Sequence, residues 1–306
     1  MKPTPSDVRI DPLLSKISIA YKNTDYIAEQ ILPVIKSKKI TGKYYIYDKA
    51  NLRPVDSERG AGAPANEVGY GVSVSTPYVC IDHALKEIVP DELKEQAETP
   101  MSPEVDATEN ITEKLLIEKE LAISTYMSDE TNLTNYTTLS GTSQWSDYEN
   151  SDPINDIETG IESVRSKILH AANTLVLGQQ VWNSLKNHPD LIERIKYSGF
   201  GKMTTQALAN LLSIDNVVIG AAGYVGTNEG QTEVLSYLWG KHAWLTYVTK
   251  TPGIKKVSFG YHFNYRKSAD KWYDIDREGT WVRVHDFYTR EIITVDAAYF
   301  IKNAVA

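Results

Sequence analysis

Cysteine is almost missing from the chain: Cys80 is 1 residue in 306. A lone thiol excludes an intrachain disulfide framework and any zinc site built on several thiolates. Long apolar runs are missing too. Stretches such as Val217-Val218-Ile219 end after a few residues, far short of the roughly 20 that a membrane-spanning helix needs. The opening residues Met1-Lys2-Pro3-Thr4-Pro5-Ser6-Asp7 lack the apolar core of a secretory signal, so sequons such as Asn110-Ile111-Thr112 carry no expectation of glycosylation. The 6 histidines, at positions 83, 170, 188, 242, 262 and 285, form no H-E-x-x-H pair and no local cluster with cysteine, which leaves no metal ligand set. No G-x-S-x-G elbow occurs either. The expectation is a cytosolic-type, metal-poor protein with no cofactor.

What is present is a globular composition with an uneven distribution of charge. Apolar residues make up 42% and charged residues 24%, enough for a packed core and incompatible with wholesale disorder. Tyrosines number 19 against 5 phenylalanines, and the net charge is −8. Residues 1–43 carry +4, residues 44–86 carry −1, residues 87–162 carry −16 and residues 163–306 carry +5. A basic arm followed by an acidic block suggests that segments of opposite sign meet, within one chain or between chains. A solvated acidic helix face would account for the block equally well.

Local patterns divide the chain further. A short helix is predicted from Thr24 or Asp25, capping residues 26–32 until Pro33 stops it. Lys43-Tyr44-Tyr45-Ile46-Tyr47-Asp48 favours a strand, and residues 53–66, rich in Gly, Pro and Ala, form a polar tip. Alternation then returns, with Val68, Tyr70, Val72 and Val74 on one face. Together these predict a long two-stranded hairpin. Two strands alone are marginal in water, so the hairpin must lie on its own domain or on a neighbouring copy.

Residues 102–128 carry the best helical pattern, with Ser102 as cap, Pro103 at the first position and Glu104 and Asp106 at the positive end of the helix dipole. Residues 129–155 read as a loop or linker. A helix over 156–172, a strand at 175–177, short helices near 180–186, 189–195 and 205–212, and a buried strand at 216–220 follow. The remainder is mostly β: 243–249, 257–265, 271–275, 280–286 and 292–295, with a last short segment over 297–304.

Three near-motifs fail on their chemistry. Gly199-Phe200-Gly201-Lys202-Met203 suggests a phosphate loop, but Lys196 stands where the first glycine belongs and Met203 where a magnesium-binding hydroxyl belongs. Gly220-Ala221-Ala222-Gly223-Tyr224-Val225-Gly226 follows a strand but has neither dinucleotide spacing nor a helix after it. Asp274-Ile275-Asp276-Arg277-Glu278-Gly279 starts like a calcium loop, yet position twelve is His285 and both flanks are strands, so a hairpin turn explains it as well. No catalytic, cofactor-binding or metal residues are assigned. A pI near 5.4 argues against a dedicated nucleic-acid binder.

The serial order of these pieces resembles the major capsid proteins of tailed bacteriophages, the Hong Kong 97-type fold, over essentially the whole chain and without a diagnostic short motif. The resemblance implies an α+β fold: an N-terminal arm (1–41), an extended E-loop hairpin (42–81), a peripheral P domain (82–154) with its spine helix at about 102–128, an axial A domain (155–266), and return strands of the P domain (267–306). It implies an icosahedral shell of pentamers and hexamers that encloses double-stranded DNA, contacted non-specifically. Portal, scaffold and decoration proteins would be partners, there would be no membrane, and assembly would take place in the host bacterial cytoplasm. The arm begins almost at Met1, so the expectation is a separate scaffold protein or prior removal of a scaffolding segment. Lys49 and Asn303 are a candidate pair for an isopeptide cross-link, without an alignable glutamate. Glycines at 60, 62, 69 and 71 would let the hairpin bend to suit different shell positions. An encapsulin-like nanocompartment shell remains an alternative reading, and a soluble α/β enzyme with a non-local site a second.

Overall fold

The computed structural model describes residues 9–10, 14–15, 18, 25–47, 51, 53–69, 71–75, 77–97, 102–196, 202–227, 230–251, 253 and 256–306. Its strands, in chain order, are β1 (Arg9–Ile10), β2 (Val34–Lys36), β3 (Thr41–Gly42), β4 (Tyr45–Tyr47), β5 (Val72–Val74), β6 (Tyr78–Val79), β7 (Ile81–Pro90), β8 (Tyr136–Thr138), β9 (Thr174–Gly178), β10 (Asn216–Gly220), β11 (Gly223–Val225), β12 (Leu235–Tyr237), β13 (Ala243–Thr246), β14 (Gly260–Asp274), β15 (Gly279–Ile292) and β16 (Ala298–Lys302). Its helices are α1 (Ala28–Ile31), α2 (Asp91–Gln96), α3 (Pro103–Met127), α4 (Pro153–Ile168), α5 (Gln179–Leu185), α6 (Pro189–Ile195) and α7 (Thr205–Leu211).

Among the described residues two main sheets form. The first has the order β1-β14-β15-β7, with β2 also paired to β14; the second has the order β10-β9-β13-β16-β8. The first is built on a long antiparallel ribbon, β14 against β15, with a bulge between Asn264 and Arg266. One ribbon face packs Ala269, Val282 and Val284 against Ala107, Ile111 and Leu115 of α3. The second sheet is buried along β9 and β13, as a sheet covered on both faces should be.

The 25-residue helix α3 is about 38 Å long at 1.5 Å per residue and serves both cores. Its four-residue steps place Ala107, Ile111 and Leu115 in the first core and Ile123 and Met127 in the second. Lys119 and Glu120 interrupt the stripe where one core gives way to the other, and both are buried. The N-cap Ser102 makes no side-chain capping bond, contrary to the sequence reading. Pro103 at the helix start and an interior free of glycine and proline set the limits of the helix instead.

Four further expectations change. The runs at 257–265 and 271–275 are parts of one strand, because β14 continues through residues 266–270. Residues 129–152 are mostly loop, as read, but no linker: Leu133, Leu139 and Trp145 are core residues, and β8 pairs with β16 in parallel. The strand predicted at 292–295 is the end of β15 and the start of a short 3-10 turn, Val295–Ala297. The last strand, β16, inserts between β13 and β8 in the second sheet, whereas the expectation grouped residues 267–306 with the first. No helix of the described residues is long and apolar enough to cross a membrane.

Candidate functional site

The hairpin is the feature least explained by the needs of the subunit. Its base is anchored: β3 pairs with β6 and β4 with β5, both antiparallel. Tyr78 stacks on Phe263 of β14 with ring centroids 4.2 Å apart, and Tyr44 stacks on the same ring at 5.9 Å. Cys80, also in this cluster, is 3% exposed and its thiol lies 3.7 Å from the Phe263 carbonyl. Burial raises its pKa, so the group packs as a small apolar residue.

Beyond β4 and β5 the described arms are joined by asparagines instead of a backbone ladder. Asn51 Nδ2 donates to the Gly71 carbonyl at 2.7 Å, the Gly71 N–H donates to Asn51 Oδ1 at 2.6 Å, and Asn66 Nδ2 donates to the Asp56 carbonyl at 3.0 Å. Every residue from 53 to 69 is exposed; Val55 is 57% and Val68 71% exposed. The predicted alternation is therefore strand only at β5, Val68 faces solvent, and Tyr70 lies outside the described residues. Gly62 has φ +80° and needs glycine, whereas a Cβ at Gly60 or Gly69 would meet nothing.

A second feature is the polar junction of arm, long helix and ribbon. Helix α1 is shorter than predicted and its N-cap residue, Ile27, makes no side-chain cap bond. The cap comes from 93 residues away: the Ile27 and Ala28 N–H groups donate to the two carboxylate oxygens of Glu120, each at 3.0 Å. Trp239 Nε1, from the second core, donates to the same carboxylate at 2.7 Å. Burial raises the pKa of Glu120, against the lowering effect of these bonds and of Lys119. Beside it Lys119 pairs with Glu29 at 2.6 Å, and Lys267 Nζ donates to the Ser18 carbonyl at 2.9 Å. Asp286, its pKa also raised by burial, accepts from Asn264 Nδ2 at 2.7 Å. The expected attraction of basic arm for acidic helix is reversed at this point, since the helix supplies the lysine and the arm the glutamate.

The histidines serve packing and internal hydrogen bonding. Burial pushes His262 down to about 2 and His242 down to about 4, helped by nearby cations. His262 lies against Tyr288, and His242 Nδ1 accepts the Asn303 N–H at 3.0 Å. His83 stacks on Tyr288, and His170 on Tyr247. The fully buried His188 meets the Ser151 hydroxyl at 3.1 Å. His285 sits between Asp82 and Asp270. Among the described residues no group of three His, Cys, Asp or Glu side chains is arranged to hold a metal ion.

The near-motifs likewise resolve into structure. Asp274 to Gly279 is the turn joining β14 to β15, with Asp274 accepting from Trp281 Nε1 at 2.9 Å. Gly220 lies against the Trp239 ring, 2.2 Å from where a Cβ would sit, so glycine there serves close packing and not a phosphate. Gly199 to Gly201 lie outside the described residues; Lys202 and Met203 line an open groove with Lys186, Ile192 and Lys196. Lys49 is also outside the described residues. Asn303, at φ +54°, ends β16. Thr112 of the sequon is fully buried.

One surface that the sequence did not announce is β7. It pairs with β15 over its whole length and is the outer strand of its sheet among the described residues. Ile81 is 61% and Leu85 39% exposed.

No protein-family profile matches the chain. It is 31% identical over 310 residues to the major capsid protein of Pseudomonas phage JBD67, covering 97% of both chains. To the major capsid protein of Burkholderia phage BcepMu it is 28% identical over 302 residues, covering 96% of both. A phage-related protein of Bordetella bronchiseptica superposes with a TM-score of 0.77 at 24% identity, over 96% of this chain and 97% of that one. The mature capsid of bacteriophage PhiM1 superposes with a TM-score of 0.54 at 12% identity, over 88% of this chain and 83% of that one.

Proposed function

Because the chain belongs to the major capsid proteins of tailed bacteriophages, we propose that it tiles an icosahedral shell of pentamers and hexamers around packaged double-stranded DNA. The fold is the α+β capsid fold anticipated from the order of elements. Within it we assign the β1-β14-β15-β7 sheet and α3 to a P domain, the β10-β9-β13-β16-β8 sheet and its helices to an A domain, and residues 42–81 to the E-loop.

The observation that carries the reading is the tip of the hairpin: all of residues 53–69 are exposed. An extension that buries nothing in its own subunit has a use in a repeating assembly, where it lies across a neighbour in a head-to-tail contact. The role is structural and calls for no chemistry. Portal and scaffold proteins, and decoration proteins where they occur, are the partners such a shell requires, with assembly in the bacterial cytoplasm. A net charge of −8 limits adhesion to the enclosed polyanion, so DNA contact would be non-specific.

Electron microscopy of the expressed protein, alone and with the products of neighbouring genes, tests this: closed shells are expected. A monomer under all assembly conditions refutes it. DNA inside particles from infected cells separates a phage head from a nanocompartment enclosing protein cargo.

A further inference from the structure

The open groove beside the failed phosphate-loop motif has no part in the packing or assembly described so far. Its volume is roughly 500 Å³, with Lys186, Lys196 and Lys202 around a floor of Ile192, Ile195 and Met203. Lys186 and Lys196 are the C-cap residues of α5 and α6, where the negative end of a helix suits a cation. Lys202 has no such reason to be there. It stands just ahead of Thr204, the N-cap of α7, near a helix end that disfavours positive charge. Lys186 Nζ donates to Asn183 Oδ1 at 2.9 Å, a neutral acceptor that cancels no charge. No carboxylate is among the described lining residues, and Ile192 is 47% exposed.

The chemistry of the groove selects its ligand. Ammonium groups on flexible stems meet carboxylates without demanding one geometry, and the methylene stems extend the apolar floor. The thioether of Met203 adapts to apolar side chains of different shape. A nucleic-acid strand would use the cations and waste the floor, since the described lining has neither an arginine nor an aromatic ring on which a base could stack. In a protein of net charge −8, lysines on three sides of an apolar floor are complementary to a partner with carboxylates around large apolar side chains.

We propose that this groove docks an acidic amphipathic helix of a separate protein. One or two large apolar side chains at helical spacing would rest on Ile192, Ile195 and Met203, and flanking carboxylates would pair with Lys186, Lys196 and Lys202. The contact needs only the folded subunit, so it goes beyond the assembly reading and stands whether or not shells form.

Fluorescence polarisation on the full-length unassembled subunit tests the proposal. The probe is a labelled synthetic helix of about 15 residues, with leucine at every third or fourth position and glutamate between. Saturable binding is expected, with affinity at least about tenfold lower for Lys202→Glu and for Ile192→Ser. Lys241→Glu makes the same change in net charge at an exposed lysine outside the groove and should bind like wild type. Thermal melting checks that each variant is folded, and Lys202→Gln, a milder change at an exposed position, should also weaken binding. The same peptide with lysine for glutamate should not bind. Absence of saturable binding to wild type overturns the proposal, as does an equal loss in Lys241→Glu, which would reduce the effect to overall charge. Double-stranded DNA or phosphatidylglycerol vesicles that displace the peptide from wild type, and that themselves bind Lys202→Glu less well, would assign the groove to a polyanion or a lipid surface and also overturn it.

Discussion

Removing the Glu120 carboxylate should loosen three parts of the subunit at once. In Glu120→Ala, the Ile27 N–H, the Ala28 N–H and the Trp239 indole N–H all lose their acceptor at a site where Glu120 is 1% and Trp239 0% exposed. A buried donor left unsatisfied costs roughly 1–3 kcal/mol, so three give roughly 3–9 kcal/mol. Relief from holding a carboxylate out of water returns part of this, for a net loss of about 3–5 kcal/mol. For a chain of this size that lowers Tm by roughly 6–10 °C, at about 2 °C per kcal/mol. Glu120→Gln keeps one acceptor oxygen and turns an amide N–H toward a backbone N–H, so its loss should be smaller. Thermal melting of unassembled subunits measures both variants, and exchange of the Ile27 and Ala28 amides shows whether the arm is what has been freed. The sign with pH is also fixed. The folded carboxyl has a raised pKa, so the fold binds a proton more readily than the unfolded chain. Wild-type stability therefore gains on Glu120→Gln as pH falls from the raised value towards the ordinary carboxylate range. A Glu120→Ala variant melting within 1 °C of wild type would refute the reasoning.

Other outcomes follow from the same structure. Both His242 and His262 stay neutral in the fold with pKa values of about 4 and about 2, while unfolded histidine titrates near 6.5. Stability should therefore fall with pH below 6.5, by about 2 kcal/mol per group at pH 5; urea melts of wild type and His242→Gln at pH 7 and 5 would show a smaller acid loss in the variant. Gly178→Ala places a Cβ 2.1 Å from the Gly240 carbonyl oxygen and should destabilise by about 3 kcal/mol, the upper end of the usual cost of overpacking. Gly60→Ala, whose Cβ meets nothing, should melt like wild type, and equal melting of the two would refute the packing account. Replacing residues 54–68 by a short turn should change the subunit Tm by less than about 2 °C, because that stretch buries no core, yet abolish closed shells on electron micrographs.

The long helix was legible to within one residue at each end because its signals are local: proline at the start and no breaker inside. The ribbon was legible only in pieces. Arg266, Lys267 and Asp270 read as a break, but each polar side chain is accommodated within the strand: Arg266 over the Phe287 ring, Lys267 on the Ser18 carbonyl, Asp270 on Arg283. Residues 129–155 hid their contribution because Leu133, Leu139 and Trp145 are six residues apart, a spacing with neither helical nor strand period. The strand β7 was missed because both its faces carry charge. The Glu120 cap was beyond reach, since nothing local announces a partner 93 residues distant in the chain. The hairpin was recognised, but its extent as a ladder was overstated, because alternation of side chains does not ensure that a partner backbone is in place.

The position of β16 bears on the order of events during synthesis. Residues of β8, β9, β10 and β13 leave the ribosome well before 298–302, yet among the described residues β13 and β8 are joined within the sheet through β16, which lies between them. A nascent chain lacking that strand has two unsatisfied strand edges in the middle of its second sheet. The hairpin, made from residues near the beginning, is available long before. The exposed hairpin is thus translated early and the strand that completes the second sheet late. Copies that met on the ribosome would do so with an unfinished second sheet.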